Sequence, residues 1–431
     1  MNINIFLPIM CVVILAFAGI PIWLAMVCGL IPYFGILQPI PAQIIIQRMV
    51  NTVESQSYLA IPLFITSGVI MNYAGISKRL LDLADALVGH LPGGLGHCNV
   101  LLSVLMGGVS GSAAADAAME SKILVPEMEK RGYSKEFSGA VTIASSLITP
   151  IIPPGMGLVM YAMATNTSVG QIFCAGYSAG LLAMVLQMIY VYIVSKKRGY
   201  KGDRTKMASA KEIGKLAWKA FPALLLPFGL ILLLRLGVAT ATEVGALCCV
   251  YAFVVGAFIY KEIKIKHFWN ILVESVTSNA TVMVLVCAAA PLSYFFTYEG
   301  IPQALTNAIL SSGMGKWTFL LLVNIILLVI GMFMEGGAPL IILAPLLAPI
   351  AAKYGYPLVT FGLMMDFNLG IGNMTPPFGI VLYQVRGVID AKFGLLVKEC
   401  VPFIIIMLIV LAVITYIPDF SMWLPRLVYG A

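Results

Sequence analysis

The sequence predicts an all-α, polytopic membrane protein made of two repeats of opposite orientation, each holding a re-entrant helical hairpin and a helix broken at a Pro-Pro pair. Three observations carry this. Of 431 residues, 60% are hydrophobic and only 10% charged, more apolar surface than a soluble domain of this size can hide. No Asp, Glu, Lys or Arg precedes Arg48 or falls between Phe137 and Ser195, so charge-free runs exceed the roughly 20 residues of a spanning helix. Landmarks also recur at one spacing: Pro126 and Pro349, Tyr133 and Tyr356, and Pro153-Pro154 and Pro376-Pro377 are each 223 residues apart.

From the N-terminus, residues 1–30 lack the basic n-region and clear small-residue cleavage site of a signal peptide and read as retained helix. Residues 6–37 read as two short helices meeting near Gly19-Ile20-Pro21, with one kinked span as the alternative. Spans are expected near 57–76, 136–165, 169–195, 216–236, 243–260, 268–298, 358–386 and 393–418. Basic clusters at 122–135, 196–206 and 261–266 place those loops in the cytoplasm by the positive-inside rule. The net charge of +7 is therefore a topology signal, not a nucleic-acid surface. The eight cysteines have neither zinc nor redox spacing and read as packing residues.

Residues 93–129 are bounded by cytoplasmic charge on both sides, and 317–353 would be bounded by the opposite side, so each must enter and return. Their middles, residues 107–112 and 331–337, are rich in glycine. The hairpins open to opposite faces, which gives the two repeats inverted topology. The first covers 1–214, with its hairpin at 93–129 and broken helix at 136–165. The second covers 215–431, with its hairpin at 317–353 and broken helix at 358–386. Segments 80–88 and 304–310 read as interfacial arms leading into the hairpins.

Irregular backbone at membrane depth is costly unless it lines a watery cavity or holds a ligand. Proline removes a helix donor and collides with the preceding turn, so a Pro-Pro pair beside glycine splits a helix rather than bending it. Carbonyls at the end of a half-helix suit sodium, and amides at the start of the next suit a carboxylate. Pairing hairpin ends with broken-helix ends selects Gly331, Gly372, Thr375 and Phe378 for a cation in the second half, with the Asn373 amide as an additional ligand. The first-half equivalents are Gly108, Thr149, Ile152 and Gly155, with the hydroxyls of Ser110 and Ser112. Substrate amides are expected from Ala113, Pro153, Gly336 and Pro376, supported by Ser112 and Asn373. Asp116, Glu120, Glu335 and Asp366 are the acidic residues nearest these elements, and each needs water, a cation or a partner, since an unpaired carboxylate at the bilayer centre costs about 2.5–3.5 kcal/mol. A single such motif reads better as a packing kink; two copies, each opposite a Gly-rich tip, favour a ligand role. Arg386 follows the second break and reads mainly as a topology residue. His90, His97 and His267 are expected near helix ends, in reach of water.

At Ser110-Gly111-Ser112, Ile152-Pro153-Pro154 and 370–379 (Gly-Ile-Gly-Asn-Met-Thr-Pro-Pro-Phe-Gly), the chain resembles the large membrane subunit of tripartite ATP-independent periplasmic (TRAP) transporters, over essentially its whole length. The resemblance implies a bacterial inner-membrane importer, not an enzyme, that uses sodium as coupling ion and has no other cofactor. It also implies a periplasmic substrate-binding protein that delivers an organic acid, such as a C4-dicarboxylate or sugar acid, and a small four-helix membrane subunit as partner. The mechanism it implies is elevator-type. Pro154 is followed by Gly155 where many relatives carry serine, so that hydroxyl is missing. The rival readings are a stand-alone sodium or proton symporter and, more remotely, an intramembrane serine protease at Gly108-Val109-Ser110-Gly111. The protease needs a histidine in reach of Ser110, yet His97 lies 13 residues earlier, roughly 20 Å along a helix.

Overall fold

The computed structural model describes residues 3–37, 41, 43–202, 204 and 206–430, and the regular structure in them is helical. In the first half the helices are α1 (Ile3–Phe17), α2 (Ile22–Pro32), α3 (Gln43–Glu54), α4 (Ala60–Tyr73), α5 (Ile76–Val88), α6 (Gly94–Ser110), α7 (Ala113–Lys130), α8 (Lys135–Ser146), α9 (Met156–Thr165) and α10 (Val169–Arg198). The second half holds α11 (Ala210–Arg235), α12 (Ala241–Val254), α13 (Ile265–Tyr298), α14 (Ile301–Ser311), α15 (Lys316–Phe333), α16 (Gly337–Lys353), α17 (Leu358–Met374), α18 (Ile380–Ile389), α19 (Phe393–Tyr416) and α20 (Pro418–Tyr429). Seven segments among the described residues are long and apolar enough to cross a bilayer, eight if α4 and α5, bent by 70°, count as one broken span. The chain is a multi-pass membrane protein.

Element order recurs in the backbone as well as in the sequence. A π-helical turn follows α2 at Tyr33–Leu37 and follows α12 at Val255–Ile259. Left-handed glycines precede α5 (Gly75, φ 67°) and α14 (Gly300, φ 63°), and left-handed glycines also follow α7 (Gly132, φ 85°) and α16 (Gly355, φ 67°). Only glycine takes these conformations without a steric cost. The halves differ where α3 and α4, joined by a turn, stand opposite the single 34-residue α13. At about 1.5 Å per residue α13 is roughly 50 Å long, enough to lie along both α3 and α4, which it does.

Two helix groups follow from the packing. The first is α1 to α4 with α11 to α13, in which α12 lies on α4 and α13 on α2. The second is built round α8 and α17, whose residues from Phe137 to Ser146 and from Val359 to Leu369 are buried almost throughout. Helices apolar on every side belong in such a position. Here α7 packs on α8 and α18, while α9 packs on α16, so each half-helix beyond a break lies against the second arm of the other half's hairpin.

Several boundaries differ from the sequence reading. Residues 6–37 turn at Gly19 (φ 83°) into two helices packed side by side. The expected span 57–76 stops at Tyr73 and continues as α5, because Gly75 turns the chain. α15, expected as one arm of an entering and returning hairpin, is by itself long and apolar enough to cross. The span expected to end at 418 ends at Tyr416, and α20 then packs along α10. Sequence reasoning missed α20, since Asp419 and Arg426 break up its apolar stripe; in the structure the two pair at 2.6 Å across its outer face.

Candidate functional site: two helix breaks against two hairpin ends

In the second half, α15 and α17 touch backbone to backbone. A Cβ placed on Gly372 would lie 2.5 Å from Gly331 Cα, and one on Gly331 would lie 2.8 Å from the Leu369 carbonyl oxygen. Two facing glycines permit that approach, the small-residue logic of helix contacts in membranes. Beyond it α17 ends: the Thr375 amide donates to the Gly372 carbonyl at 2.9 Å and the Thr375 hydroxyl to the Ile371 carbonyl at 2.7 Å. The chain then folds back so that Gly379 N–H donates to Met332 O at 3.2 Å. A Cβ on Gly379 would lie 3.0 Å from Thr375 O and 3.1 Å from Asn373 O, so two carbonyls converge beside the end of α15. Asn373 Oδ1 is buried with no hydrogen-bond partner among the described residues. The structure thus brings Gly331, Gly372, Asn373 and Thr375 together. Phe378 is 57% exposed and turns its ring toward Phe333, which leaves only its backbone as a ligand.

The first half repeats the outline with different side chains. A Cβ on Gly107 would lie 2.8 Å from Ile152 Cγ2, and one on Gly111 (φ 59°) 2.9 Å from Pro154 O. The end of α6 therefore presses on the break, and Gly155 is packed so closely that a Cβ would lie 2.9 Å from Pro150 C. Gly108 and Ser110 end α6, but their side chains lie outside the described residues. Ser112 caps α7, its hydroxyl accepting from Ala115 N at 3.4 Å, so that oxygen already serves a helix N-terminus. Thr149 turns away from the hairpin tip. Its hydroxyl lies 2.5 Å from Asp116 Oδ2 and 3.2 Å from the Ser103 carbonyl.

The expected amides require one correction of chemistry. Pro153 and Pro376 mark the breaks but carry no N–H. The first intrahelical bonds beyond them are Val159 N to Gly155 O and Tyr383 N to Gly379 O, so the free donors are those of Met156 to Leu158 and Ile380 to Leu382. Ala113 opens α7 as expected, and Gly336 precedes α16 with its Cβ position 3.3 Å from Leu369 Cβ. Asp366 of α17 reaches the other half: a Cβ on Gly157 would overlap its Oδ1 and lie 2.5 Å from its Cγ. Its carboxylate thus covers the first turn of α9, where a negative charge is favoured, and its Oδ2 is buried without a hydrogen-bond partner among the described residues.

A polar cluster missed at the sequence level lies between α6, α7 and α8. Ser103 donates to Glu120 Oε1 and Oε2 at 3.0 and 3.1 Å, Ser145 to Asn99 Oδ1 at 2.8 Å, and Asn99 Nδ2 to Thr142 at 2.7 Å. All of these residues are at most 1% exposed. The signal was helical spacing: Asn99 and Ser103 are i, i+4 on α6, Asp116 and Glu120 are i, i+4 on α7, and Thr142 and Ser145 are i, i+3 on α8. One further expectation shifts, and another is located. His97 is 2% exposed rather than at a wet helix end, because the turn from α5 packs over it. Arg386 lies 5.5 Å from the Phe393 ring, held at the surface.

The comparisons agree with this architecture. A family profile described as tripartite ATP-independent periplasmic transporter, DctM component, matches residues 9–420. The sialic acid TRAP transporter large permease of Vibrio cholerae is 36% identical over 416 residues, 96% of this chain and 97% of that protein. The C4-dicarboxylate TRAP large permease of Pseudomonas aeruginosa is 35% identical over 88% of each chain, and the 2,3-diketo-L-gulonate TRAP large permease of Escherichia coli is 32% identical over 93% and 94%. Among solved structures, the YdaH transporter of Alcanivorax borkumensis aligns at a TM-score of 0.63 with 16% identity over 88% of this chain and 87% of that one. MtrF of Neisseria gonorrhoeae aligns at 0.64 with 14% identity over 98% and 95%, and at such identities the likeness is of fold alone. These relatives are permeases and not enzymes, which removes the protease reading of Ser110. The chain belongs to the DctM family, the large permease component of tripartite ATP-independent periplasmic transporters.

Proposed function

We infer that this chain is the large subunit of a sodium-coupled importer of an organic acid in the bacterial inner membrane. In this reading its halves have inverted topology. Sodium binds where each hairpin end meets a break, through the carbonyls of Gly331, Gly372 and Asn373 with the carbonyl and hydroxyl of Thr375 and, in the first half, around Thr149, Ile152 and Gly155. Cation binding there draws the end of α15 onto the end of α17 and so fixes the free amides at the starts of α9 and α18. The substrate carboxylate binds the amides at the start of α18, those of α9 lying under the Asp366 carboxylate, and α6 to α9 move with α15 to α18 as one body against α4 and α13. The single observation that carries the reading is the Gly331–Gly372 contact, which places two helix C-terminal ends side by side with converging carbonyl dipoles. The Thr375 amide and Gly379 N–H each serve one carbonyl of that junction, and a cation is the partner that draws on the remaining lone pairs together.

The substrates named for the relatives, sialic acid, C4-dicarboxylates and 2,3-diketo-L-gulonate, share an anionic carboxylate, and an organic acid of this class is assigned here. A periplasmic binding protein and a small four-helix membrane subunit complete the assembly. The test is uptake into liposomes under a sodium gradient, with and without those two partners. Uptake that requires both partners and sodium is expected. Full-rate uptake by this chain alone would replace the tripartite reading with a stand-alone symporter. Thr375→Ala and Thr149→Ala are each expected to raise the sodium concentration for half-maximal uptake, and an unchanged requirement in both would remove these positions from the sites.

A further inference from the structure

We propose that Asp116 and Glu120 form an additional sodium site inside the first hairpin, adjoining the first-half break through Thr149 and distinct from the carbonyl junction at Gly331 and Gly372. The two carboxylates lie one turn apart on the same face of α7 and are 1% and 0% exposed. Buried carboxylates in such a place must be paired, neutralised or ligated. No lysine, arginine or histidine pairs with either among the described residues. The groups round them are Asn99 and Ser103 from α6, Thr142 and Ser145 from α8, and Thr149, all uncharged. From α18, which also packs on α7, Arg386 is turned to Phe393.

A count of donors shows the deficit. Two carboxylates present four oxygens, and three hydroxyls are in reach: Thr149 to Asp116 at 2.5 Å, Ser103 to Glu120 at 3.0 Å, and Ser145 to Glu120 at 3.4 Å. Ser145 is the weakest of these, since its proton has a nearer acceptor in Asn99 Oδ1 at 2.8 Å. Thr149 has a second acceptor in the Ser103 carbonyl at 3.2 Å. Asp116 Oδ1 has no partner at all. A single proton held between Asp116 Oδ1 and a Glu120 oxygen is the competing arrangement, and it would make the site respond to proton concentration and not to sodium. A small hard cation satisfies Oδ1 together with its neighbours, because it draws on several oxygens at once. Asp116 Oδ1 and Oδ2, a Glu120 oxygen, Thr149 Oγ1 and the Ser103 carbonyl supply such a set, all from oxygen. The inference rests on the reading above only for the identity of the ion.

The experiment is equilibrium binding of radioactive sodium to the full-length chain with its co-purifying membrane partner in lipid nanodiscs, without substrate, at constant ionic strength set with potassium. Glu120→Gln keeps the shape and the Ser103 contact, and Asp116→Asn is the second variant should the first lose its fold. Each is expected to bind one sodium fewer per chain at saturation, while binding at the Gly331–Gly372 junction persists. An unchanged sodium count in both folded variants overturns the site, as does wild-type binding that varies with proton concentration alone. Failure of the break-site reading looks different, because Thr375→Ala then leaves sodium binding unaltered while the Asp116 and Glu120 variants still lower it.

Discussion

Gly372→Ala tests the contact on which the proposed coupling depends. The new methyl would lie 2.5 Å from Gly331 Cα and 2.8 Å from its carbonyl oxygen. Both are backbone atoms, so no side-chain rotation relieves the clash. The Gly331 carbonyl carbon lies nearer still, so restoring an ordinary contact of 3.4 Å means parting α15 from α17 by more than about 0.9 Å. Overpacking of this kind costs about 1–3 kcal/mol, partly offset by the ~0.5–1 kcal/mol by which alanine favours a helix over glycine. Gly370→Ala is the internal control, two residues earlier on α17, where a Cβ meets nothing within 4 Å. It keeps the helix gain without the clash. If sodium requires the closed junction, the 1–3 kcal/mol penalty lowers sodium affinity roughly 5- to 150-fold in Gly372→Ala and leaves Gly370→Ala at the wild-type value. Thermal unfolding in nanodiscs across a sodium titration, with potassium as control, measures both. Equal midpoints and equal sodium dependence for the two variants would refute a functional junction at Gly331–Gly372.

Gly157→Ala must displace the Asp366 carboxylate from the start of α9, so it should slow uptake; because both changes break one contact, Gly157→Ala with Asp366→Ala should be less than additive in a double-mutant cycle. Arg204→Ala removes the 2.7 Å pairs to Asp85 and Glu212 that tie the α10–α11 connection to the end of α5; these groups are partly exposed, so a loss of about 1 kcal/mol or less is expected, shrinking at high salt in a melting experiment. Thr240→Ala deletes the capping box with Glu243 at the start of α12 and should cost about 1 kcal/mol of unfolding stability, with sodium affinity unchanged.

Which parts of this architecture were legible in the sequence follows from what each part needs. The breaks were, because Pro-Pro beside glycine has few structural meanings in an apolar helix, and the observed ends of α17 at Met374 and of α9's lead-in at Gly155 fall there. The turn at Gly19 was legible from its own breaker, Gly19-Ile20-Pro21, and part of the arm α5 from the helical spacing of its apolar residues over 80–88. By contrast α3 and α20 were not, since a short amphipathic helix lying on a neighbour has neither a long apolar run nor a breaker to mark it. The buried cluster was only half visible. Asp116 and Glu120 stood out as acids in an apolar setting, but that Thr149 turns toward them and not toward the tip depends on the angle at which α6 crosses α8, which no spacing encodes.

The two halves share their backbone plan and divide its chemistry. In both, an asparagine on the hairpin's first helix holds the broken helix: Asn99 accepts from Ser145 at 2.8 Å, and Asn324 Oδ1 accepts from Asn368 at 2.7 Å, where Ser145 and Asn368 occupy equivalent positions 223 residues apart. Interhelical hydrogen bonds of this kind contribute about 0.6–2 kcal/mol in membranes, so hairpin and broken helix are fastened as one unit in each half. Beyond that clamp they part ways. At the position where Gly372 lets two backbones meet, the first half carries Thr149, whose hydroxyl spans to the Ser103 carbonyl on α6 and to Asp116. The second half therefore presents mainly carbonyl dipoles at its junction, and the first adds the carboxyl groups of Asp116 and Glu120 beside Thr149 and Ser103. A carbonyl site releases its ion readily because its ligands are neutral, whereas a site with buried carboxylates holds a cation more tightly and pays a larger desolvation cost when empty. On the proposed sites, an ion beside Asp116 and Glu120 would therefore be the better retained of the two, and the one at Gly331 and Gly372 would bind before the substrate carboxylate, as the proposed ordering of the amides requires.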